Sequence, residues 1–165
     1  MSILDIGGGF QDANFETMAL SLRRATEQAL PDGVHIIAEP GRFYASSFYT
    51  MACKVIARRQ HPSTDTSPRV DMLYQNDGIY GCFMGRLTEE QEFTPTLVSV
   101  EGENRSNGNG ERHSYSYSIW GPTCDSVDCV VDQATMDREV HIGDWLQYPN
   151  MGGEWAWTPV GRPSG

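Results

Sequence analysis

Apolar residues recur at three- and four-residue intervals between Asn14 and Leu30, where Phe15, Met18, Ala19, Leu22, Ala25 and Ala29 form one stripe. That period predicts an amphipathic helix, stopped by Pro31-Asp32-Gly33. Short apolar runs flank it, Ser2 to Ile6 and His35 to Ala38. Each reads as a buried strand, so residues 2–38 are expected to form a βαβ unit with a parallel strand pair. The first strand ends in Gly7-Gly8-Gly9, a run that admits any backbone conformation and makes a natural loop for an anion.

After Glu39-Pro40-Gly41-Arg42 the pattern changes to β-rich segments. These are Phe43 to Arg59, Arg69 to Gln75, Gly78 to Leu87, Thr96 to Val100, Tyr115 to Trp120, Cys129 to Val131 and Asp144 to Tyr148. Short strands separated by turn residues predict an antiparallel barrel or sandwich. The fold class is therefore mainly β, with a βαβ unit over residues 1–42, a β domain over 43–152 and a Gly/Pro-rich tail over 153–165. Gln60 to Pro68 and Glu101 to Arg112 hold too little apolar content to order themselves and are expected to be mobile loops.

Composition narrows the functions more than the fold. The 165 residues suffice for one domain with a core and fall short of a complete β/α barrel of roughly 250 residues. A formal charge of −10, from 22 acidic and 12 basic side chains, repels nucleic-acid phosphate and anionic membranes. Cys53, Cys82, Cys124 and Cys129 contain no CxxC pair, a poor zinc signature and a poor disulfide framework, so reduced thiols in a cytoplasmic protein are expected. There is no signal-like start and no apolar run of about 20 residues. Lys54 is the only lysine, so any mechanism that needs a lysine amine has one candidate. His35, His61, His113 and His141 are scattered and read as surface or satisfied core residues, and Tyr44, Tyr80, Phe83 and Trp120 as core aromatics.

Four blocks carry a family signal: LDIGGGF at 4–10, AEPGRFY at 38–44, NDGIYGCF at 76–83 and SIWGPTCDSVD at 118–128, followed by HIGDWLQYPNMG at 141–152. In this order they resemble the C-terminal part of the eukaryotic ornithine decarboxylase family of pyridoxal-phosphate (PLP) enzymes. The resemblance implies that the βαβ unit is the end of a β/α barrel. It implies that Gly7, Gly8 and Gly9 hold the PLP phosphate through backbone N–H groups, with Arg42 pairing that phosphate and Glu39 the pyridine nitrogen. Cys124 then matches a thiol that protonates the decarboxylated intermediate, and Asp125 a carboxylate that binds the distal amine of the substrate. In the family both reach the neighbouring protomer's site.

The sequence also departs from that pattern. The family's Schiff-base lysine and ring-stacking histidine lie upstream of the first residue here, so this chain by itself is not expected to close a PLP pocket. Gly153-Glu154-Trp155 stands where the family has Ala-Tyr-Thr, placing a carboxylate where a phosphate contact is expected. Thr88-Glu89-Glu90 replaces a Tyr-Asp pair that helps hold the substrate amine. The expectation is therefore a PLP-independent acid/base enzyme of cyclase, isomerase or lyase type acting on a small molecule, with Cys124, Asp125, Glu89 and Asp77 as its polar cluster and no cofactor. The alternatives are a non-catalytic subunit that completes a homodimer or a heterodimer with a decarboxylase-like chain, and an inactive fragment of a PLP-dependent decarboxylase.

Overall fold

The computed structural model describes residues 1–61, 70–98 and 114–153. Both segments expected to be mobile fall largely outside these residues, as does the tail beyond Gly153.

The βαβ unit forms, but its two strands, expected to be buried, are largely exposed. Strand β1 (Ile3–Asp5) and strand β2 (His35–Ile37) pair in parallel, with Leu4 opposite Ile36. Helix α1 (Phe15–Ala29) joins them, and its half-buried residues include Phe15, Met18, Ala19, Leu22 and Thr26, the single stripe that a 3.6-residue period demands. Asn14 ties the glycine loop to the helix start: its Oδ1 accepts the Gln11 N–H at 2.8 Å and its Nδ2 donates to the Gly9 carbonyl at 3.1 Å.

Phe43 to Tyr49 is not strand, contrary to its aromatic content. Helix α2 (Gly41–Ala45) and a 3₁₀ turn (Ser46–Phe48) occupy it, starting directly after Pro40 at φ −79°. Proline pre-sets φ for a first helical turn. Phe43 then stacks on Phe15 of α1, their ring centroids 4.6 Å apart.

The β domain is one curled six-stranded mixed sheet in the order β5-β8-β3-β4-β6-β7, so the mainly-β expectation holds. Its strands are β3 (Met51–Arg59), β4 (Val70–Gln75), β5 (Thr96–Val98), β6 (Tyr115–Trp120), β7 (Cys129–Met136) and β8 (Trp145–Tyr148). Every pairing is antiparallel except β4 with β6, which run parallel with Leu73 opposite Ile119. A parallel pair needs a long crossover; here it is supplied by the chain between Asn76 and Ser114. Strand β7 is longer than expected because it pairs back along the whole of β6, through register shifts around Ile119.

Alternation decides the core. Cys53 and Val55 of β3, Leu73 of β4, Ile119 of β6 and Leu146 and Tyr148 of β8 are fully buried, joined by Phe83 and Val140. Each such aliphatic side chain stabilises the fold by about 1.5–3 kcal/mol. The polar residues inside this core are paired. Asp71 accepts from Arg58 Nε at 3.1 Å and Nη2 at 2.7 Å, and Gln75 accepts the Tyr148 hydroxyl at 2.7 Å. Gly78 to Leu87 is also not strand: it is a turn-rich loop ending in the short helix α3 (Gly85–Thr88). Side chains of Asp77 and Asp128 capture its N–H groups, which offers the backbone an alternative to a ladder.

Candidate functional site

The glycine loop follows β1 directly. Gly7 at φ +68° and Gly9 at φ +85° lie in the left-handed region that glycine tolerates, and a Cβ on Gly8 would stand 2.8 Å from the Glu39 carbonyl oxygen. The Gly7 N–H donates to Asp5 Oδ1 at 2.8 Å, while neither Gly8 nor Gly9 donates its N–H to another described residue. Backbone N–H groups in such a concave turn make an anion cradle. Near it opens a cleft of about 530 Å³ lined by Arg42 together with Gln11, Asp12, Ser46, Glu89 and Gly152 among others. A Cβ on Gly152 would fall 1.9 Å from the Ala45 carbonyl oxygen, so the chain closes against α2 only because this residue is glycine. A guanidinium together with free backbone donors is the donor set that a phosphate group requires, and the residue types present fit one.

The same cleft is strongly acidic. Asp12, Glu89, Glu90 and Glu92 all line it, and the Glu89 carboxylate forms an ion pair with Arg42. A phosphate on Arg42 must therefore compete with Glu89. Gln91, on the same wall, carries the one buried side-chain oxygen among the described residues without a hydrogen-bond partner, Oε1.

A second constellation sits on two loops of the β sheet, residues 76–84 and 121–128. Asp128 is fully buried; its Oδ1 accepts the Ile79 N–H at 2.8 Å, and its Oδ2 accepts the Thr123 N–H at 3.0 Å and hydroxyl at 2.7 Å. Gly78 and Gly121 pack on this carboxylate so closely that a Cβ on either would stand 2.2–2.3 Å from Asp128 Oδ1. Asp128 thus binds the two loops at their base. Above it Cys124 and Asp125 are exposed. Asp125 Oδ1 accepts the Val127 N–H at 3.0 Å and Oδ2 accepts the Tyr80 hydroxyl at 2.5 Å. The Tyr80 hydroxyl first, and the Val127 N–H second, hold the Asp125 carboxyl below the usual range; the same bond raises the Tyr80 phenol.

The expected polar cluster is thereby divided. Cys124 and Asp125 share one turn, whereas Glu89 lies against Arg42 in the acidic cleft, whose lining includes neither of them. Asp77 serves its own loop, with Oδ1 on the Gly78 N–H and Oδ2 on the Cys82 N–H. A Cβ on Gly81 would stand 1.8 Å from Asp77 Oδ1, so that carboxylate fills its turn. Glu39 is exposed beside the glycine loop and its N–H donates to the Gly7 carbonyl at 2.8 Å. Lys54 is on an exposed position of β3. Glu154 lies outside the described residues.

Sequence reasoning missed Asp128, and it read Tyr80 as a core aromatic although it is 57 % exposed; Tyr44 is exposed as well, while Phe83 is buried as expected. The alternating pattern carries no signal for a tyrosine that leaves the core to bond a carboxylate 45 residues away. All four cysteines are free thiols, and no helix among the described residues is long and apolar enough to cross a membrane.

Comparison with known proteins places this geometry. The family model for the pyridoxal-dependent decarboxylase C-terminal sheet domain matches residues 21–152. The chain is 38% identical over 154 residues to the decarboxylase flvG of Aspergillus flavus, covering 92% of this chain and 36% of that protein. It is 38% identical over 177 residues to the ornithine decarboxylase of Neurospora crassa, covering 92% and 37%. It thus spans about a third of the length of these relatives. Among solved structures, the arginine decarboxylase of Paramecium bursaria Chlorella virus superposes with a TM-score of 0.70 at 31% identity, covering 94% of this chain and 40% of that one. The lysine/ornithine decarboxylase of Vibrio vulnificus complexed with cadaverine gives 0.67 at 28%, covering 97% and 41%. These matches overturn the expectation of a protein without a cofactor, since the matched family is pyridoxal-dependent and the glycine cradle with Arg42 retains a phosphate-type donor set. The chain belongs to the pyridoxal-dependent Orn/DAP/Arg decarboxylase family, of which it carries the C-terminal sheet domain.

Proposed function

We propose that this chain supplies two parts of a PLP-dependent amino-acid decarboxylase site, a phosphate cradle and a thiol-carboxylate turn, and that the site acts on an amino acid with a cationic side chain. The observation that carries this reading is the left-handed Gly7 and Gly9 pair, in a loop whose Gly8 and Gly9 N–H groups have no partner among the described residues and which runs into Gln11 and Asp12 on the wall of the cleft that Arg42 also lines. PLP, when bound, supplies an electron sink for the electrons released from the carboxylate-bearing carbon.

The chain's own residues have separate tasks. The Gly8 and Gly9 N–H groups and Arg42 would hold the cofactor's phosphate oxygens, and Glu39 would pair with its ring nitrogen. Glu89 has to release Arg42 for this, and its freed carboxylate then adds to the acidic wall of Asp12, Glu90 and Glu92, which favours a cation. Asp125 stays ionised and accepts hydrogen bonds from a distal ammonium or guanidinium group. Cys124 delivers a proton to the carbon that has lost its carboxylate. As the family resemblance implies, Cys124 and Asp125 would serve the cradle of a second protomer in a dimer; in this chain they lie outside the cleft that Arg42 lines. The relatives named for ornithine, lysine and arginine support a basic amino acid as the substrate class.

Release of CO₂ from arginine, ornithine and lysine tests the reading, measured with PLP on the protein purified in its native assembly. Turnover of one of them, reduced at least tenfold in Arg42→Ala and in Asp125→Asn, is expected. No CO₂ from any of the three, or full activity in both variants, would overturn it.

A further inference from the structure

The turn that carries Cys124 and Asp125 is held by the opposite loop at two heights. At its base, buried Asp128 grips the Ile79 N–H and the Thr123 N–H and hydroxyl. At its tip, Tyr80, the residue next to Ile79, reaches Asp125 Oδ2 at 2.5 Å. Cys124 lies between the two attachment points, flanked by Thr123 and Asp125.

Burial does not explain the placement of Tyr80. Its ring is 57 % exposed although Ile79 beside it is only 2 % exposed. An exposed tyrosine whose hydroxyl donates to a carboxylate fixes that carboxylate's rotamer. Asp125 Oδ1 is simultaneously held by the Val127 N–H, so both oxygens are directed and neither can swing. An ionised carboxylate offers about four acceptor positions, so an incoming cation still finds lone pairs on the outer side.

We propose that Tyr80 is the positioning residue of the Cys124–Asp125 turn: its hydroxyl fixes the direction in which Asp125 presents its charge to a cationic group and holds Cys124 in register with it. The amine-binding part rests on the function proposed above; the clamp itself does not. The charged groups acting on this hydroxyl are Asp125, bonded to it, and Asp128 below it, both of which favour the protonated phenol. Tyrosine therefore remains a donor through the neutral range, and Asp125 remains an acceptor until the solution is more acidic than an ordinary aspartate requires.

Tyr80→Phe removes the hydroxyl alone, and at an exposed ring it leaves the fold intact. Two readouts separate the clamp from the function. The first is the titration of the Asp125 carboxyl carbon by NMR in the wild type, in Tyr80→Phe and in Tyr44→Phe, an exposed tyrosine control. The second is the affinity for cadaverine, measured by calorimetry at neutral pH on the same proteins and on Asp125→Asn. The expected result is an Asp125 midpoint that moves up in Tyr80→Phe and not in the control, with cadaverine affinity falling about fivefold, the scale of the net contribution of one ordinary hydrogen bond. In Tyr80→Phe binding is also lost at a higher pH than in the wild type as the solution is acidified. An Asp125 midpoint unchanged in Tyr80→Phe would overturn the assignment. A shifted midpoint together with cadaverine affinity unchanged in Asp125→Asn would uphold the clamp and overturn the amine-binding reading instead.

Discussion

The six-stranded sheet and the βαβ unit are built from equally apolar patterns, yet they treat their apolar residues in opposite ways. In the sheet, Val55, Leu73, Ile119 and Leu146 are completely buried. In the βαβ unit, α1 has no buried residue, β2 is exposed at all three positions, and Ile3, Leu20, Ile36 and Ile37 are between 45 % and 57 % exposed. A curled sheet covers its own inner face, whereas two parallel strands and one helix cannot, because parallel strands are normally sheathed on both faces. The sheet holds the apolar core, and the βαβ unit carries the glycine loop on a less protected support.

The largest expected effect that can break this contrast is on stability. Leu146→Ala should cost about 3–4 kcal/mol in urea unfolding, as a buried leucine in a closed core does. Ile36→Ala, on the exposed strand, should cost less than about 1 kcal/mol. Comparable losses at the two positions would mean that the βαβ unit shares the core after all.

Asp128 extends the contrast to polar groups. Asp128 is fully buried and accepts one buried and two part-buried hydrogen bonds, so Asp128→Ala should destabilise by about 3 kcal/mol, chiefly by leaving the Ile79 donor unpaired. Asp125→Ala, three residues away and exposed, should leave the melting temperature where it was. A thermal melt of both variants decides this, and a large loss in Asp125→Ala would show that the turn is structural rather than functional.

A smaller effect is expected at alkaline pH. Burial pushes the Cys53 and Cys129 thiols up to about 12, from 9.0 in an unstructured chain. The folded state therefore keeps protons that the unfolded state gives up. The stability contributed by the neutral thiols is complete below pH 9 and is lost as pH rises from there towards 12. Denaturation midpoints should fall across that window, less steeply in Cys53→Ala; an identical slope in the variant would show that Cys53 is not sealed in the core.

The smallest perturbation sharpens the same boundary without changing stability. Iodoacetamide at pH 8 should alkylate exposed Cys124 and leave fully buried Cys53 untouched, as mass spectrometry of peptides would show. Equal labelling would mean that the sheet opens on the timescale of the reaction.

Much of the fold was legible because it follows from local periodicity. The helix stripe from Phe15 to Ala29 and the strands β4, β6 and β8 lie close to where their apolar alternation put them. The misreadings have a common origin. Phe43 to Tyr49 and Gly78 to Leu87 are rich in aromatic and apolar residues, which raises apparent strand character. A proline-led helix start in one, and carboxylates capturing backbone N–H groups in the other, override it. Among site residues, Cys124 and Asp125 were recognisable as one turn because they are adjacent in sequence. That Glu89 meets Arg42 and that Asp77 serves its own loop were not, because these partners are set by how loops fold back on the sheet.

The sequence by itself determined which faces of the helix and strands are apolar, and its family blocks named the candidates for a phosphate cradle and a thiol-carboxylate pair. Those properties depend on residue type and short-range spacing. Only the tertiary structure decided that β4 and β6 run parallel, that Asp128 joins two loops from beneath, and that Tyr80 leaves the core to hold Asp125. Contacts across 45 or more residues are selected by packing of the whole sheet, and no local pattern records them.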